Sequence, residues 1–286
     1  MKGGTENMTT ALYVVATPLG NLGDISLRAL ETLRGVDTIA CEDTRHSRHL
    51  LEHFGIRAPL IAVHEHNEAA AAQKLLDLLD AGKAVALVSD AGTPGICDPG
   101  ARVVSVVRAA GHRVVPVPGA NAAIAALSVA GLEDAYFLFC GFLPPKTAAR
   151  QAAILALKAV PAALVFYEAP HRISATVDDL AASLEPQREL LIGRELTKLF
   201  EQTVRLPLAA APDWLAADDN RRRGEFVLVV SAPPPDPAVP AQAARTLQLL
   251  LGDLPLKQAV KLAAEITGVA RNTLYAQALA WRDEAL

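Results

Sequence analysis

The chain has 286 residues, 51% of them apolar and 20% charged, with a formal charge of −4. Such a chain is long enough to bury one large core or two ordinary ones, and its composition excludes a disordered or fibrous protein. No apolar run reaches the roughly 18 residues of a membrane span, the polar start Met1–Thr10 lacks the order of a signal peptide, and the scattered Cys41, Cys97 and Cys140 fit a reducing cytoplasm better than a disulfide or zinc framework.

From the N-terminus, Leu12–Ala16, Thr38–Cys41, Leu60–Val63, Ala84–Val88 and Arg113–Val117 read as strands. They are short, rich in Val, Ile and Leu, and continuous rather than alternating, as strands buried on both faces are. Between the third and fourth, Glu68–Ala81 places Ala72, Leu75, Leu76 and Leu79 at the spacing of an amphipathic helix. This alternation predicts an open α/β sheet. A second series follows: Tyr136–Cys140, Ala162–Phe166, Glu189–Ile192, Thr203–Leu206 and Glu225–Val230. It predicts a second α/β domain with a more mixed sheet and a hairpin-like return near Glu201–Pro207. The expected division is residues 1–121 and 122–231, then a linker over 232–240, where five prolines occupy eight positions from Pro233. Beyond it, Gln242–Leu251, Pro255–Thr267 and Ala270–Ala280 read as helices, with Gly268 in the break between the last two. That outline, over 241–286, is either helix-turn-helix-like or a plain helical hairpin; Arg271, Asn272, Thr273 and Tyr275 are its candidates for contacts to phosphate or bases.

Ligands of open α/β sheets bind beyond the C-terminal ends of the strands, so the loops there carry the functional information. In order they are Thr17–Asp24, Cys41–Arg45, His64–Glu68, Ser89–Gly100 and Pro118–Asn121, all with Gly, Pro or polar side chains. Gly20 and Gly23 are spaced GxxG rather than GxGxxG, and Gly82-Lys83 lacks the rest of a P-loop, so neither a Rossmann dinucleotide site nor a nucleoside-triphosphate cradle is indicated. His64 and His66 could share a strand face as metal ligands. Without a third ligand at diagnostic spacing they read as hydrogen-bonding or ribose-contacting residues, and no metal site is predicted. In the second series, Phe139–Lys146, Phe166–Arg172 and Gly193–Lys198 again follow strands and add carboxylates, an imidazole and guanidinium groups.

The ordered segments ATPLGNLGDIS, CEDTR, HEHN, SDAGTPGICDPG, PVPGANA, FCGFLPPK, FYEAPHR, GRELTK and GEFVLVV, from about Leu12 to Val230, resemble the tetrapyrrole methylase (class III methyltransferase) superfamily. Within it they resemble the branch of small-subunit ribosomal RNA (cytidine-2′-O-)-methyltransferases I. The tail resembles that branch's helix-turn-helix extension more loosely. The resemblance implies two α/β domains with S-adenosylmethionine (SAM) in the cleft between them, a homodimer in the cytoplasm with no membrane association, and methylation of the ribose of cytidine 1402 in 16S rRNA at the decoding centre, within the small ribosomal subunit. It assigns SAM contacts to Thr17, Pro18, Leu19 and Gly20, to Ser89, Asp90, Ala91, Gly92 and Thr93, and to Pro118, Gly119, Ala120 and Asn121. Ser89 and Ala91 stand where the superfamily's second loop usually has Gly and Pro.

Most of the catalytic effect of such an enzyme should be alignment of sulfur, methyl and acceptor oxygen. A ribose hydroxyl is a poor nucleophile and calls for a base or a cation. The candidates are Asp43, Glu168, His171 and Glu195 as base or orienter, and Arg45, Arg172, Arg194 and Lys198 as phosphate or alkoxide partners. Glu168→Ala and Arg45→Ala are expected to lower turnover more than SAM affinity. RNA binding by a chain of charge −4 calls for a basic groove across the dimer, expected from Arg45, Arg48, Lys146, Arg150 and Arg172, with the tail as a further contributor. The competing readings are C-methylation of a tetrapyrrole and a nucleic-acid-binding regulator acting through the tail.

Overall fold

The first strands are apolar runs that end in Gly, Pro or polar loops, and they assemble as such runs should, into a parallel sheet covered on both faces. A computed structural model describes residues 8–64, 67–234 and 239–284. The chain divides into two compact units, Met1–Ala232 and Pro233–Leu286.

In the first unit, β1 (Leu12–Val15), β2 (Thr38–Cys41), β3 (Leu60–Ala62), β4 (Val85–Leu87) and β5 (Val114–Val117) form a parallel sheet in the order β3-β2-β4-β1-β5. They alternate with α1 (Leu27–Gly35), α2 (Thr44–His53), α3 (Glu68–Asp80) and α4 (Ala101–Ala109). Leu33, Ile39 and Val15 pack on one face of the sheet, and Leu75, Leu87 and Val107 on the other. The order reverses beside β4 and β1, so the loops after these two strands and after β5 crowd one edge.

At Asn121 the chain leaves the first sheet. Asn121 caps α5 (Ala122–Ala130) by accepting from the Ile124 N–H at 3.1 Å, and α5 lays Ala123, Ala126 and Ala130 on the second sheet. That sheet, in the order β6-β7-β10-β8-β9, consists of β6 (Phe137–Phe142), β7 (Ala163–Glu168), β8 (Glu189–Arg194), β9 (Gln202–Pro207) and β10 (Phe226–Val230). Only β6 and β7 run parallel, so the sheet is mixed, and β8–β9 is the expected hairpin. Its outer face is covered by α6 (Thr147–Leu157), α7 (Ile173–Ser183) and α8 (Ala211–Ala216) around Phe166, Ile154 and Leu180.

Two strands run longer than their composition suggests. β6 continues past Cys140 because Gly141, at φ +65°, makes a bulge that shifts register after Phe139. β7 continues to Glu168, which pairs with Phe226 across the sheet, so this carboxylate belongs to a strand end rather than a loop.

The second unit holds α9 (Ala241–Asp253), α10 (Leu256–Thr267) and α11 (Arg271–Glu284) around Leu247, Val260 and Leu274. Gly268, left-handed at φ +75°, ends α10. Arg271, Asn272 and Tyr275 are exposed at the start of α11, and Arg271 pairs with Glu265. Among the described residues no helix is long and apolar enough to cross a membrane. Of the two histidines read as hydrogen-bonding or ribose-contacting residues, His64 lies within the described residues and His66 outside them.

Candidate functional site

The loops at the C-terminal edge of the first sheet are stitched to one another. Thr17 and Gly92 exchange backbone hydrogen bonds of 2.8 and 3.0 Å, and the buried Thr17 hydroxyl donates to the Ser89 carbonyl at 3.0 Å. The Thr93 hydroxyl donates to the Ala120 carbonyl at 3.0 Å, and Asp90 accepts from the Asp43 N–H at 3.1 Å. Four loops remote in sequence thus form one rigid rim. Gly92 sits at φ +79°, where a Cβ would lie 3.2 Å from Leu19 Cδ2. The loop needs glycine both for its conformation and for this close approach.

Facing the rim is an edge of the second sheet. Tyr167 on β7 packs edge-on against Phe139 and Phe142, and its hydroxyl accepts from the Ala123 N–H at 3.1 Å, which ties β7 to the start of α5. Rim and edge enclose a cavity of about 300 Å³. Leu19, Ala91, Gly92, Thr93, Asn121 and Ala122 line it from one side, and Phe142, Tyr167, Leu196 and Val227 from the other; Asp98, Glu168, Lys198 and Glu225 supply its charges.

The charges at this cavity lean negative. Burial pushes the Asp98 carboxyl above the ordinary aspartate range; the Ser89 hydroxyl draws it back, and the like charge of Asp90 adds to the rise. Burial likewise raises Glu42, helped by Asp90, Asp98 and Asp43. Lys198 Nζ bridges Glu195 at 3.0 Å and Glu225 at 2.7 Å. For Glu195, burial favours the neutral acid, but the Glu225 N–H and Lys198 outweigh it and hold the carboxyl low. For Lys198 the balance mirrors this: burial opposes the charge, and the two carboxylates more than restore it. Room for this bridge comes from two glycines. A Cβ on Gly20 would lie 2.5 Å from Lys198 Cγ, and one on Gly224 would lie 2.4 Å from Glu195 Cγ.

The residues expected to contact a cofactor divide into two groups. Leu19, Ala91, Gly92, Thr93 and Asn121 line the cavity. Thr17, Ser89, Asp90 and Ala120 act behind it through the bonds above, Gly119 packs on Ala16, and Pro18 and Gly20 face away from this cavity. Of the expected catalytic residues, Glu168 and Lys198 reach it and Asp43, Arg45, His171, Arg172 and Glu195 do not line it. Asp43 is the N-cap of α2 and pairs with the exposed Arg45 at 3.2 Å; the hydrogen bonds from Arg45 hold its carboxyl below the usual range. His171 is exposed.

Glu168 is buried and occupied. It accepts from the Thr176 hydroxyl at 2.6 Å and from its neighbour's Ala169 N–H at 2.8 Å, and Arg172 Nε lies 3.2 Å away as a charge contact rather than an aligned hydrogen bond. Arg172 in turn donates to the Leu143 and Pro144 carbonyls. The expectation that Arg172 and Arg150 belong to a basic groove needs correction. Arg172 is turned inward, and Arg150 is 3% exposed and paired with Asp179 at 2.6 Å. Arg45, Arg48 and Lys146 remain exposed.

Sequence reasoning missed Asp98, Tyr167, Phe142, Leu196, Glu225 and Val227. All six lie inside the segments singled out above, Glu225 and Val227 in GEFVLVV, at positions where only the fold tells which side chain turns inward. Among the described residues no three His, Cys, Asp or Glu side chains converge as a metal site.

Residues 11–212 match the family model described as Tetrapyrrole (Corrin/Porphyrin) Methylases, and residues 237–282 match the RsmI C-terminal HTH domain. The chain is 52% identical over 271 residues to a protein of Pseudomonas aeruginosa named Ribosomal RNA small subunit methyltransferase I, covering 94% of this chain and 96% of that one. It is 50% identical to the protein of the same name from Escherichia coli O157:H7, covering 96% of each. Among solved structures, the uroporphyrin-III C-methyltransferase of Thermus thermophilus, complexed with S-adenosyl homocysteine, aligns with a TM-score of 0.55 at 18% identity over 77% of this chain and 96% of that one, which is a likeness of fold.

Proposed function

The chain belongs to the tetrapyrrole methylase family, in its ribosomal RNA small subunit methyltransferase I branch, and on that premise we propose that it methylates the ribose 2′-oxygen of cytidine 1402 in 16S rRNA within the small ribosomal subunit. Identity of about half over nearly the whole chain to proteins bearing that name is the observation that carries the reading. The enzyme is a SAM-dependent methyltransferase.

The cavity suits SAM chemically. Apolar walls at Leu19, Tyr167, Leu196 and Val227 fit an adenine ring, backbone groups of Ala91, Thr93 and Ala122 fit its polar edges and ribose, and the acidic surroundings of Asp98 fit a cation. SAM bound there supplies a methyl group on a positively charged sulfur that leaves as a neutral thioether.

The chain's own part is to hold the acceptor oxygen in line, exclude water and take one proton. Glu168 has its oxygens occupied, and Asp43 and Glu195 are held ionised by their cations. We assign the proton to Asp98, whose raised affinity for protons suits a base that must accept one during turnover. The residues expected behind the SAM contacts, Pro118 and Gly119 included, position the loops in this scheme. A homodimer, in the cytoplasm, completes the reading; the dimer is supported by the exposed apolar side chains of Tyr136, just before the edge strand β6, and of Phe137 and Leu138 at its start.

The test uses small subunits from a strain lacking the modification, incubated with the protein and labelled SAM. Mass spectrometry of nuclease fragments should place the label on the ribose of the decoding-centre cytidine. Label on a base or on another nucleotide would refute the position, and no label with SAM binding intact would turn the search to tetrapyrroles.

A further inference from the structure

Beyond Leu19 and Ala91 lies a second cavity, of about 570 Å³. It shares Leu19, Ala91, Lys198 and Glu225 with the first, so these residues form a partition between the two. Its far wall is α2. There His46, His49 and His53 recur at i, i+3 and i+7, which sets three imidazoles along one face of the helix, all lining this cavity. The core claims the other side of α2, through the buried Ser47 and Leu51; His53 also packs edge-on to the Phe54 ring at 4.8 Å, and that contact does not account for His46 and His49. Lys198, Asp90 and Glu225 are the charged residues that line it beside the histidines, and Arg45 and Arg48 are exposed on the same helix outside it.

The stripe is not laid out for a metal. His46 and His53 are seven residues apart, about 10.5 Å along a helix axis, and no three such side chains converge among the described residues. That length suits successive groups of an extended ligand. An imidazole is flat enough to stack on a base and offers both a donor and an acceptor to phosphate and 2′-hydroxyl oxygens. The partition adds the geometric reason. A methyl group can pass only to an acceptor held against the first cavity, and a nucleotide in the second meets it at Leu19, Ala91 and Lys198.

We propose that the histidine-lined cavity is the seat of the single-stranded RNA that carries the acceptor ribose, with His46, His49 and His53 binding successive nucleotides. This rests on the reading of the chain as an rRNA methyltransferase. The probe is a fluorescent single-stranded RNA oligonucleotide of the decoding-centre sequence, read by anisotropy, with SAM affinity measured in parallel by calorimetry. The variant His46→Ala/His49→Ala/His53→Ala should bind the RNA at least about tenfold more weakly, the loss expected from removing stacked rings, and SAM as tightly as the parent. In histidine-labelled full-length parent protein, RNA should shift the imidazole resonances of those three residues. It should leave that of His112, held 2.8 Å from Asp80, in place. Unchanged RNA affinity in the variant, or RNA-bound parent protein with the three resonances unmoved, overturns the proposal. If the parent protein binds small subunits lacking the modification but not the oligonucleotide, the variant's loss of affinity is read on those subunits; if it binds SAM but neither of them, the rRNA reading falls and the proposal with it.

Discussion

Glu168 offers the clearest separation between a base and an anchor. Its side chain is fully buried and holds together three elements: the end of β7, the first turns of α7 through Thr176, and, through Arg172, the Leu143–Pro144 turn. Glu168→Ala strands a largely buried guanidinium and a buried hydroxyl. Breaking one side of a buried ion pair costs about 3–5 kcal/mol, and at about 2–4 °C per kcal/mol for a unit of this size the melting point should fall by about 6–20 °C. Lost turnover in that variant would therefore say little about chemistry. Glu168→Gln is the discriminating change, because it keeps the shape of the side chain and one acceptor oxygen for the Ala169 N–H, leaves the Thr176 hydroxyl free to turn and accept from the new amide, and removes the charge facing Arg172. As an anchor, Glu168→Gln should lose about 1–3 kcal/mol of stability and keep turnover within a few-fold at a temperature where it is folded. As a base, it should melt like the parent and lose about 10²–10⁴-fold in turnover. Calorimetric melting beside single-turnover methylation reads both quantities, and the second pattern would refute the anchor.

Asp98→Asn should lower turnover by about 10²–10⁴-fold while leaving SAM affinity within an order of magnitude. In the parent enzyme the acid limb of the pH–rate profile should lie above the ordinary aspartate range and should vanish in the variant. Because folding raises the Asp98 pKa, its ionisation costs stability as pH rises through that range, so Asp98→Asn should be no less stable at neutral pH; a marked destabilisation there would contradict the assignment. Gly92→Ala places a side chain at φ +79° beside Leu19, which costs about 1–2 kcal/mol of backbone strain. It should weaken SAM binding about tenfold or more as the rim deforms, and unchanged affinity by titration calorimetry would show that the rim does not depend on that turn.

The alternation of strands and helices was legible because parallel strands buried on both faces are unbroken apolar runs, and Leu12–Val15 or Val85–Leu87 has no other use for such a run. The rim was legible because Gly, Pro and Asn punctuate the strand ends on one edge. What the sequence hid depends on partners far along the chain. Arg150 looks like any surface cation until Asp179, 29 residues on, is seen to bury it. Glu168 looks like a loop carboxylate until its pairing with Phe226 draws it into β7. Asp98 sits in a loop whose first half attracts attention through Asp90 and Gly92, and only the burial of its carboxyl sets it apart.

The charge of the site argues for a division of labour. Lys198 stands between Glu195 and Glu225, so that cluster carries a net negative charge rather than a free cation for a developing alkoxide. Asp98, Asp90 and Glu42 add to it from the opposite rim; burial raises the Asp98 and Glu42 carboxyls, and the charge of Asp90 adds to both shifts. A cationic cofactor gains from such surroundings and a polyanion loses. The loop that presents Lys198 is held at some conformational cost, since Glu195 and Thr197 lie at φ +50° and +67°. The Glu201 carboxylate accepts from the Thr197 N–H, and the ion bridge closes over Gly20 and Gly224. A structure that maintains strain to keep this lysine neutralised does not use it to attract phosphate. Contacts to RNA then come from the far side of the partition, where His46, His49 and His53 of α2 line the second cavity together with Asp90 and Glu225, so that binding in it rests on stacking and hydrogen bonds, while Arg45 and Arg48 lie exposed on the same helix outside it.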